Sequence, residues 1–457
     1  MVNTMEGVTQ ALAQFAANLK FGDLAPHIVL NFKKYLLDGI GCGFNGTRLH
    51  WCQIVNRFIK EQRGKKESTL WLQKFKGPST SVSLGLGVMI HSFDFDDYHN
   101  AKVHPGAVVI PAAMTMGERM GANGKSVLTA MAAGYETMIR VSLATGPNSS
   151  RLKGWHLTGT TGTFGAAAAA GNLLGLNQDK MASALGMAGT QSAGLWAFTA
   201  DGAMSKRFHA GRSSQSGVMG AILAQKGYKG PTQILEAQDG GFCRATSDHV
   251  DFTRVTEELG KKFLSSDVNI KPYACCASAH SAIDAVCHLV QVHKIIPSEI
   301  EKIFVKTASG VKVQCGFEYE PLSVLQAQMS LQYIVAVALL EGKALLEQFS
   351  EEKISDPKVL ELAKRVEIVL DPEIEKIYPE KFANKVEIIL NHGKKFEARI
   401  DFPTGSRENP MSFDQVVEKF ESLASKVVTK DRIDTIVEYV ERIEKLDDIR
   451  KFTRLLA

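Results

Sequence analysis

The sequence predicts a mainly α protein, in which a smaller α+β domain is inserted before the last helices of a large all-helical domain. The chain has 457 residues, of which 45% are hydrophobic and 22% charged, and this is typical of a globular protein with two cores. Helical periodicity dominates up to about residue 265, alternating β-branched segments follow, and helical periodicity returns after residue 404. We therefore predict a helical domain over 1–267 and 405–457, and an α+β domain over 268–404.

The long N-terminal part of the chain places apolar residues at helical spacing, as in segments 8–19, 28–40 and 125–144. Segment 158–176, TGTTGTFGAAAAAGNLLGL, is unusually rich in small residues. Alanine is the best helix former, and small side chains let helices approach closely. We therefore predict that this segment forms a central, tightly packed helix.

The segments EKIFVKTA, RVEIVLD, KVEIILN and KFEARID have the alternation and the β-branched residues of strands. The last two read as a hairpin with His392 and Gly393 at its turn. Helical segments lie between the strands, and two more follow residue 412. These features predict an α+β domain whose sequence neighbours on both sides are helical.

Charge, cysteine use and hydropathy exclude several classes of protein. The 53 basic and 49 acidic residues give a net charge of +4, too small for a nucleic-acid footprint. The seven cysteines have irregular spacing and form no CxxC pair, so neither a disulfide framework nor a zinc ribbon is indicated. The N-terminus lacks the features of a signal peptide, and the apolar runs are too short to span a membrane. We expect a cytoplasmic protein that binds neither nucleic acid nor membrane.

Gly41, Gly43 and Gly46 spell GxGxxG, the pattern of dinucleotide-binding turns. That function needs a strand before the glycines, because the pyrophosphate is held between a strand and the start of a helix. Here the preceding residues read as a helix, so we expect no nucleotide site. The glycines are instead expected to end a helix and turn the chain.

Segment 91–106, HSFDFDDYHNAKVHPG, concentrates acidic residues and histidines. A carboxylate beside a histidine can move protons at neutral pH. If residues 91–98 are helical, Asp94 and Asp97 share a face, and His104 stands just before Pro105, a good first residue of a helix. Helix capping with a solvated face, or a metal site, are the alternatives. The residues of this segment that form the candidate cluster are Asp94, Asp96, Asp97, His99 and His104.

Two further polar clusters follow, one around His156 and one in the basic segment 201–214. His156 lies between an aromatic residue and a Gly/Thr-rich turn that can offer N–H groups to an anion, although a buried, hydrogen-bonded histidine would give the same pattern. In segment 201–214, small residues allow a ligand to approach and basic groups can hold a carboxylate, unless they form a solvated loop. The basic residues of that segment are Lys206, Arg207, His209 and Arg212.

The fourth cluster lies in segment 269–286, NIKPYACCASAHSAIDAV. His280 lies near the start of a helix, and Asp284, one turn later, is placed to orient its ring. Lys271 and Tyr273 are candidate substrate-binding residues of the same segment. Cys275 and Cys276 have no evident base, so we interpret them as buried thiols.

These clusters, in this order, resemble the MmgE/PrpD family, which includes 2-methylcitrate dehydratases, cis-aconitate decarboxylases and iminodisuccinate epimerases. The likeness covers nearly the whole chain and is carried by several long motifs. Those motifs are LLDGIGCGFNG, HSFDFDDYHNAKVHPGAVVIPAAM, GWHLTGTTGTFGAAAAAGNLLGL, ALGMAGTQSAG, SKRFHAGRSSQSGVMGAILAQKGYKGP, KPYACCASAH, MSLQYIVAVALLEG and ENPMS.

The resemblance implies a large helical domain with a smaller α+β lid, a homodimer, and catalysis without metal or organic cofactor. Lys206, Arg207 and His209, with Lys271 and Tyr273, are the candidate substrate-binding residues. The family's active-site positions fall on Asp94, His104, His156, Lys206 and His280.

This chain departs from the family pattern in ways that concern the substrate. It has DFDD and HPGA where classical 2-methylcitrate dehydratases carry an Asn within the first motif and HPSD after it. Ala274 and Ala277 stand in the stretch where many relatives have Pro and Arg, and Leu157 follows His156 where relatives often have Pro. A missing Arg removes a bidentate carboxylate clamp, which favours a substrate with fewer carboxylates than citrate-like compounds.

The resemblance and the clusters together predict a cofactor-independent, dehydratase-like lyase that acts on a small di- or tricarboxylate. It would abstract a proton next to a carboxylate, with His104, tuned by Asp94, as acid or base. Lys206, with His156 and His280, would stabilise the negative charge that develops. A cis-aconitate decarboxylase or an iminodisuccinate-type epimerase is the alternative. An inactive scaffold of the same fold, and an iron–sulfur hydratase, which the absence of CxxC disfavours, are the rivals from other classes.

Overall fold

A computed structural model describes residues 7–200, 202–378 and 381–457 of the chain. Residues 1–6, which belong to the N-terminus predicted to lack the features of a signal peptide, lie outside the described residues. The structure divides into two compact units, one of residues Met1–Val268 with Ser412–Ala457 and one of Asn269–Met411.

The first unit is built almost entirely of helices, as its apolar periodicity predicts. Its N-terminal helices are α1 Val8–Asn18, α2 Pro26–Gly46, α3 His50–Gln62, α4 Ser79–Ile90, α5 Gly106–Met120, α6 Gly124–Ala144, α7 Pro147–Leu152, α8 Leu157–Leu173, α9 Gln178–Gly189, α10 Ser205–Gln225, α11 Phe242–Thr246 and α12 Thr253–Thr256. Its C-terminal helices are α19 Phe413–Ala424, α20 Lys430–Glu441 and α21 Arg450–Thr453.

Helix α8 lies at the centre of this unit, which confirms the prediction of a central, tightly packed helix. Every residue from Leu157 to Gly171 is buried. The small residues are needed because neighbouring backbones come close. A Cβ atom on Gly165 would lie 2.8 Å from the carbonyl oxygen of Gly134 in α6, and one on Gly217 of α10 would lie 2.5 Å from the Cβ of Ala166.

Two local features of this unit differ from the sequence-based expectation. A two-stranded antiparallel ribbon, β1 Ser68–Leu70 and β2 Phe75–Gly77, interrupts the helices. Gly41 and Gly43 lie inside α2 and do not end it, so that expectation was wrong, although the helix does end at Gly46. These glycines serve close packing, since a Cβ on Gly46 would lie 2.2 Å from the carbonyl oxygen of Met89.

The C-terminal helix α19 packs on α2. Its buried Lys419 contacts the backbone of the segment 91–106, which carries the acidic cluster. Lys419 Nζ lies 2.5 Å from Asp38 Oδ1, and it donates a hydrogen bond of 2.7 Å to the carbonyl oxygen of Phe95. Both charged side chains are almost completely buried, with exposed fractions of 3% and 1%. This contact ties the end of the chain to the segment that begins the candidate site.

The second unit combines helices with one four-stranded sheet in the order β4-β3-β5-β6. Strand β3 pairs in parallel with β4 and antiparallel with β5, and β5 and β6 form the predicted hairpin, with Gly393 at φ 83° in its turn. The strands are β3 Ile300–Thr307, β4 Val366–Leu370, β5 Asn384–Leu390 and β6 Lys395–Ile400. The helices are α13 His280–His293, α14 Ser309–Cys315, α15 Val324–Met329, α16 Leu331–Glu341, α17 Pro357–Ala363 and α18 Pro372–Ile377.

Among the described residues, no helix is both long enough and apolar enough to cross a membrane. The seven cysteines, all of which are described, are free thiols.

Candidate active site

The acidic loop, residues 91–105, connects α4 to α5 and carries the first polar cluster. Residues His91–Phe93 form a single 3-10 turn, and Asp94 takes the left-handed conformation with φ 55°. The chain therefore leaves helical geometry at Asp94. Residues 91–98 are thus not one helix, and the condition under which Asp94 and Asp97 would share a helical face is not met. Asp94 contacts Lys206, whereas Asp97 contacts Gly106 and Tyr135.

Asp97 anchors the acidic loop and is buried. Its Oδ1 accepts a hydrogen bond of 2.8 Å from the backbone N–H of Gly106, and its Oδ2 accepts one of 2.7 Å from the hydroxyl of Tyr135. Burial, reinforced by the nearby carboxylate of Asp38, raises the pKa of Asp97 well above its usual range. Asp97 thus fixes the loop to α5 and α6.

Asp96 is buried and its carboxylate contacts two imidazoles, those of His91 and His104. This group of three side chains was not predicted as a site from the sequence. Oδ2 of Asp96 lies 2.9 Å from Nδ1 of His91 and 3.3 Å from Nδ1 of His104. The exposed fraction of the side chain is 1% for Asp96, 0% for His91 and 15% for His104. The signal that could have identified this pair was the i, i+5 spacing of a histidine and an aspartate across a helix end.

Lys206 and Asp94 form the more open side of the same group. Lys206, near the start of α10, donates a hydrogen bond of 2.9 Å from Nζ to Asp94 Oδ1. The same oxygen lies 3.9 Å from Nε2 of His104. With exposed side-chain fractions of 22% for Lys206 and 28% for Asp94, these groups are accessible to a small molecule.

His156 is the N-cap residue of α8 and joins the other histidines. Its ring stacks on that of His91 at a centroid distance of 5.9 Å, and its Nδ1 lies 3.1 Å from Nδ1 of His209. Because two ring nitrogens at this distance share one proton, at least one of the two rings is neutral. Burial lowers the pKa of His156 well below its usual range, and it also lowers that of His209.

Arg207 is held in place from two sides. Its Nε donates a hydrogen bond of 3.0 Å to the carbonyl oxygen of Ser92, and its guanidinium lies 4.3 Å from the centre of the Trp51 ring. A guanidinium fixed in this way keeps its remaining N–H groups for a carboxylate. The structure thus brings together six of the predicted residues in the first unit. They are Asp94, His104, His156, Lys206, Arg207 and His209.

The remaining predicted residues lie in the second unit and form their own cluster. Asp284 accepts a hydrogen bond of 2.5 Å from the hydroxyl of Tyr273 and one of 2.6 Å from the backbone N–H of Thr404. The Tyr273 ring packs edge-on against His280 at 5.3 Å. Asp284 therefore contacts Tyr273, whereas Nε2 of His280 lies 3.3 Å from the carbonyl oxygen of Cys275. The direct contact of Asp284 with His280 that the sequence predicts is replaced by these two. Lys271 is buried, with an exposed fraction of 3%.

His91, Asp96 and His104 each offer one atom of a type that binds metals, and these atoms lie within 4.8 Å of one another. Among the residues that the structure describes, this is the group with such spacing. His91 and Asp96 are hydrogen-bonded to each other in this group, and Nδ1 of His104 lies 3.3 Å from the same carboxylate oxygen. The expectation of activity without metal stays a prediction.

Comparison with known proteins bears directly on this site. Residues 10–255 match the MmgE/PrpD N-terminal domain, and residues 273–445 match the MmgE/PrpD C-terminal domain. The chain belongs to the MmgE/PrpD family. This confirms the family predicted from the order of the motifs.

Three enzymes of this family align with most of the chain. A cis-aconitate decarboxylase of Aspergillus terreus is 30% identical over 99% of this chain and 96% of its own. The human cis-aconitate decarboxylase is 29% identical over 99% of this chain and 95% of its own. A 2-methylcitrate dehydratase of Salmonella typhimurium is 23% identical over 86% of each chain. The activities named for these relatives are lyase activities, so the prediction of a lyase of this family is confirmed.

Proposed function

We propose that this MmgE/PrpD protein is a decarboxylating lyase that removes carbon dioxide from an unsaturated tricarboxylate such as cis-aconitate, without a cofactor. The observation that carries the proposal is the likeness to cis-aconitate decarboxylases over 99% of the chain. The site in the first unit supports it, because it combines a cation, a fixed guanidinium and histidines around an accessible carboxylate.

The chemistry needs two kinds of group. Breaking the bond to the departing carboxylate leaves an electron pair on carbon, which the double bond spreads towards a second carboxylate. Lys206 and Arg207 suit the stabilisation of that charge, because fixed cations act most strongly where charge develops. One proton must then reach carbon, and His104, whose Nε2 lies on the accessible side, suits its delivery.

Dehydration of a hydroxylated tricarboxylate is the second candidate, favoured by the 2-methylcitrate dehydratases among the relatives. The same groups would serve it, with His104 removing a proton beside a carboxylate and the cations holding the substrate. Epimerisation would use only the proton transfer. Dehydration is the second candidate because the 2-methylcitrate dehydratases are less identical to this chain, and cover less of it, than the cis-aconitate decarboxylases. Because the stretch ACCASAH lacks an Arg, dicarboxylates should also be tested as substrates.

The direct experiment offers the purified protein a panel of acids after exhaustive chelation. We expect release of carbon dioxide from cis-aconitate, with slower or no reaction of 2-methylcitrate and of malate- or aspartate-like acids. Dehydration of 2-methylcitrate alone would replace the proposal by the second candidate. Activity that is lost on chelation and restored by zinc, iron or magnesium would contradict catalysis without a cofactor.

His280, Lys271 and Tyr273 are proposed contributors from the second unit, and we propose that this unit acts as a lid domain. A His280→Ala variant is expected to lose turnover, and wild-type turnover in that variant would remove His280 from the site. The homodimer and the cytoplasmic location also stay predictions.

A further inference from the structure

We propose that Asp96 is a positioning residue that holds Nδ1–H of His104, so that Nε2 of His104 is the atom that exchanges a proton with the substrate. The inference rests on the proposed function only for the identity of the substrate. It concerns two side chains, Asp96 and His91, that the predicted site did not include.

The first support is the rigidity of the loop around Asp96. On one side Asp94 reverses the chain in a left-handed conformation, and on the other Asp97 is bound to Gly106 and Tyr135. The carbonyl oxygen of Phe95 accepts a hydrogen bond from Lys419. The backbone on both sides of Asp96 is therefore fixed, and its carboxylate has little freedom to turn away from the imidazoles.

The second support is the geometry of the shared oxygen. Nδ1 of His91 at 2.9 Å and Nδ1 of His104 at 3.3 Å face the same Oδ2 of Asp96. Burial alone would raise the pKa of Asp96, but the two imidazoles outweigh it and hold that pKa well below its usual range. An ionised carboxylate only accepts hydrogen bonds, so the hydrogen-bonded Nδ1 of His91 carries a hydrogen. The same carboxylate, 3.3 Å away, favours a hydrogen on Nδ1 of His104, which makes no competing hydrogen bond with the residues that the structure describes. The neutral ring of His104 then has its lone pair on Nε2.

The third support is the position of Nε2 of His104. It lies on the side of Asp94 and Lys206, which are the more exposed members of the group. His91 adds a second N–H to Asp96 without adding a charge, because burial lowers the pKa of His91 to about 4. The negative charge of Asp96 is therefore available to stabilise His104 when it carries a second proton.

Two variants of Asp96 test the inference. Asp96→Asn keeps the shape and removes the charge, so kcat is expected to fall about 10²–10⁴-fold, while KM changes less than about threefold. Asp96→Leu removes the acceptor, and nitrogen-15 spectra of labelled histidine should change from one tautomer of His104 to a mixture.

The control is Asp97→Asn, the same isosteric change at the neighbouring buried carboxyl. It measures what the substitution costs the loop in stability, and it should leave the tautomer of His104 as in the wild type. An unchanged kcat in Asp96→Asn would overturn the inference, as would an unchanged tautomer in Asp96→Leu. Wild-type histidine spectra that change on chelation would also overturn it, because the group would then hold a metal.

The spectra keep this inference separate from the proposed function. They need no substrate, so a protein that turns over no tricarboxylate can still show or lack the Nδ1–H tautomer of His104. If the tautomer is present and cis-aconitate is not consumed, the proposed function alone fails.

Discussion

Burial keeps two imidazoles of the site uncharged, although acidic side chains lie nearby. His91 contacts the ionised Asp96 and still has its pKa lowered to about 4, since removal from water penalises the charged ring more than one carboxylate compensates. Burial also lowers the pKa of His156 well below its usual range, and the positive charges of neighbouring basic groups, Lys206 among them, act in the same direction. At neutral pH the fixed positive charge of the site therefore comes from Lys206 and Arg207.

A dependence of stability on pH follows from these neutral rings. The folded-state pKa of His156 is depressed well below its ordinary value of 6.5, and that of His91 is lowered to about 4. Between pH 6.5 and the folded-state pKa of each ring, the unfolded chain therefore binds a proton that the folded protein does not. The free energy of unfolding should therefore fall as the pH falls through this window. Each such histidine contributes at most about 1.4 kcal/mol per pH unit.

Urea unfolding at pH 7 and pH 5 of the wild type and of His156→Gln measures this contribution. The variant should lose less stability between the two pH values than the wild type. Buried carboxyls with raised pKa, such as Asp38 and Asp97, act in the opposite direction, and the comparison of two proteins cancels them. An equal loss of unfolding free energy in both proteins would show that the pKa of His156 is not lowered in the folded state.

The resemblance to the family, carried by dense polar motifs, predicted that Asp94, His104, His156 and Lys206 belong to one site, and the structure places these side chains near one another. The sequence did not predict the different contacts that Asp94, Asp96 and Asp97 of the DFDD motif make. Those contacts depend on the left-handed turn at Asp94, which no periodicity reveals. Asp96 therefore became important only when its distance to His91 and His104 was known.

Helices α4 and α10 cross at a pair of glycines, and this crossing positions the site. Helix α4 ends directly before His91, and α10 carries Lys206 near its start. A Cβ on Gly211 would lie 2.3 Å from the carbonyl oxygen of Leu84, and one on Gly87 would lie 2.6 Å from the Cα of Gly211. Backbone contacts this close leave no room for a methyl group.

Gly211→Ala should therefore destabilise the protein by about 1–3 kcal/mol, the usual cost of overpacking a core. The matched control is Gly220→Ala in the same helix, where the nearest atom to the new Cβ is 3.2 Å away. Both substitutions gain the same helix propensity, so the difference between them in urea unfolding isolates the clash. Equal stability of the two variants would show that the helices are not in close contact at Gly211.

Periodicity predicted the long helices, the central helix α8 and the hairpin of β5 and β6, because their patterns are local. It missed the ribbon of β1 and β2, whose strands have three residues each and give too short a pattern. It also misplaced Gly41 and Gly43, which remain helical. Glycine at these positions is explained by the close approach of other segments, such as Trp71 at Gly43, and that information is tertiary.

The first unit is formed by segments from both ends of the chain. The ion pair of Lys419 and Asp38 joins them, and the hydrogen bond from Lys419 to Phe95 connects the C-terminal helix α19 to the acidic loop. Matches to both MmgE/PrpD domains, over residues 10–255 and 273–445, show that the family pattern extends through both units. The proposed activity is thus a property of the whole chain, and it is best tested on the intact protein.

The most direct test of the proposed activity is turnover of cis-aconitate in heavy water by the wild type, His104→Ala and Lys206→Ala, with His50→Ala as an exposed control. The wild type and the control should release carbon dioxide and place one deuterium on carbon in the product. His104→Ala should bind the substrate and lose turnover and deuterium incorporation by about 10²–10⁴-fold. Lys206→Ala should be weakened in both binding and turnover, because its charge contacts the carboxylate in ground and transition states alike. Full turnover with deuterium incorporation in His104→Ala would contradict the account, because another group would then deliver the proton.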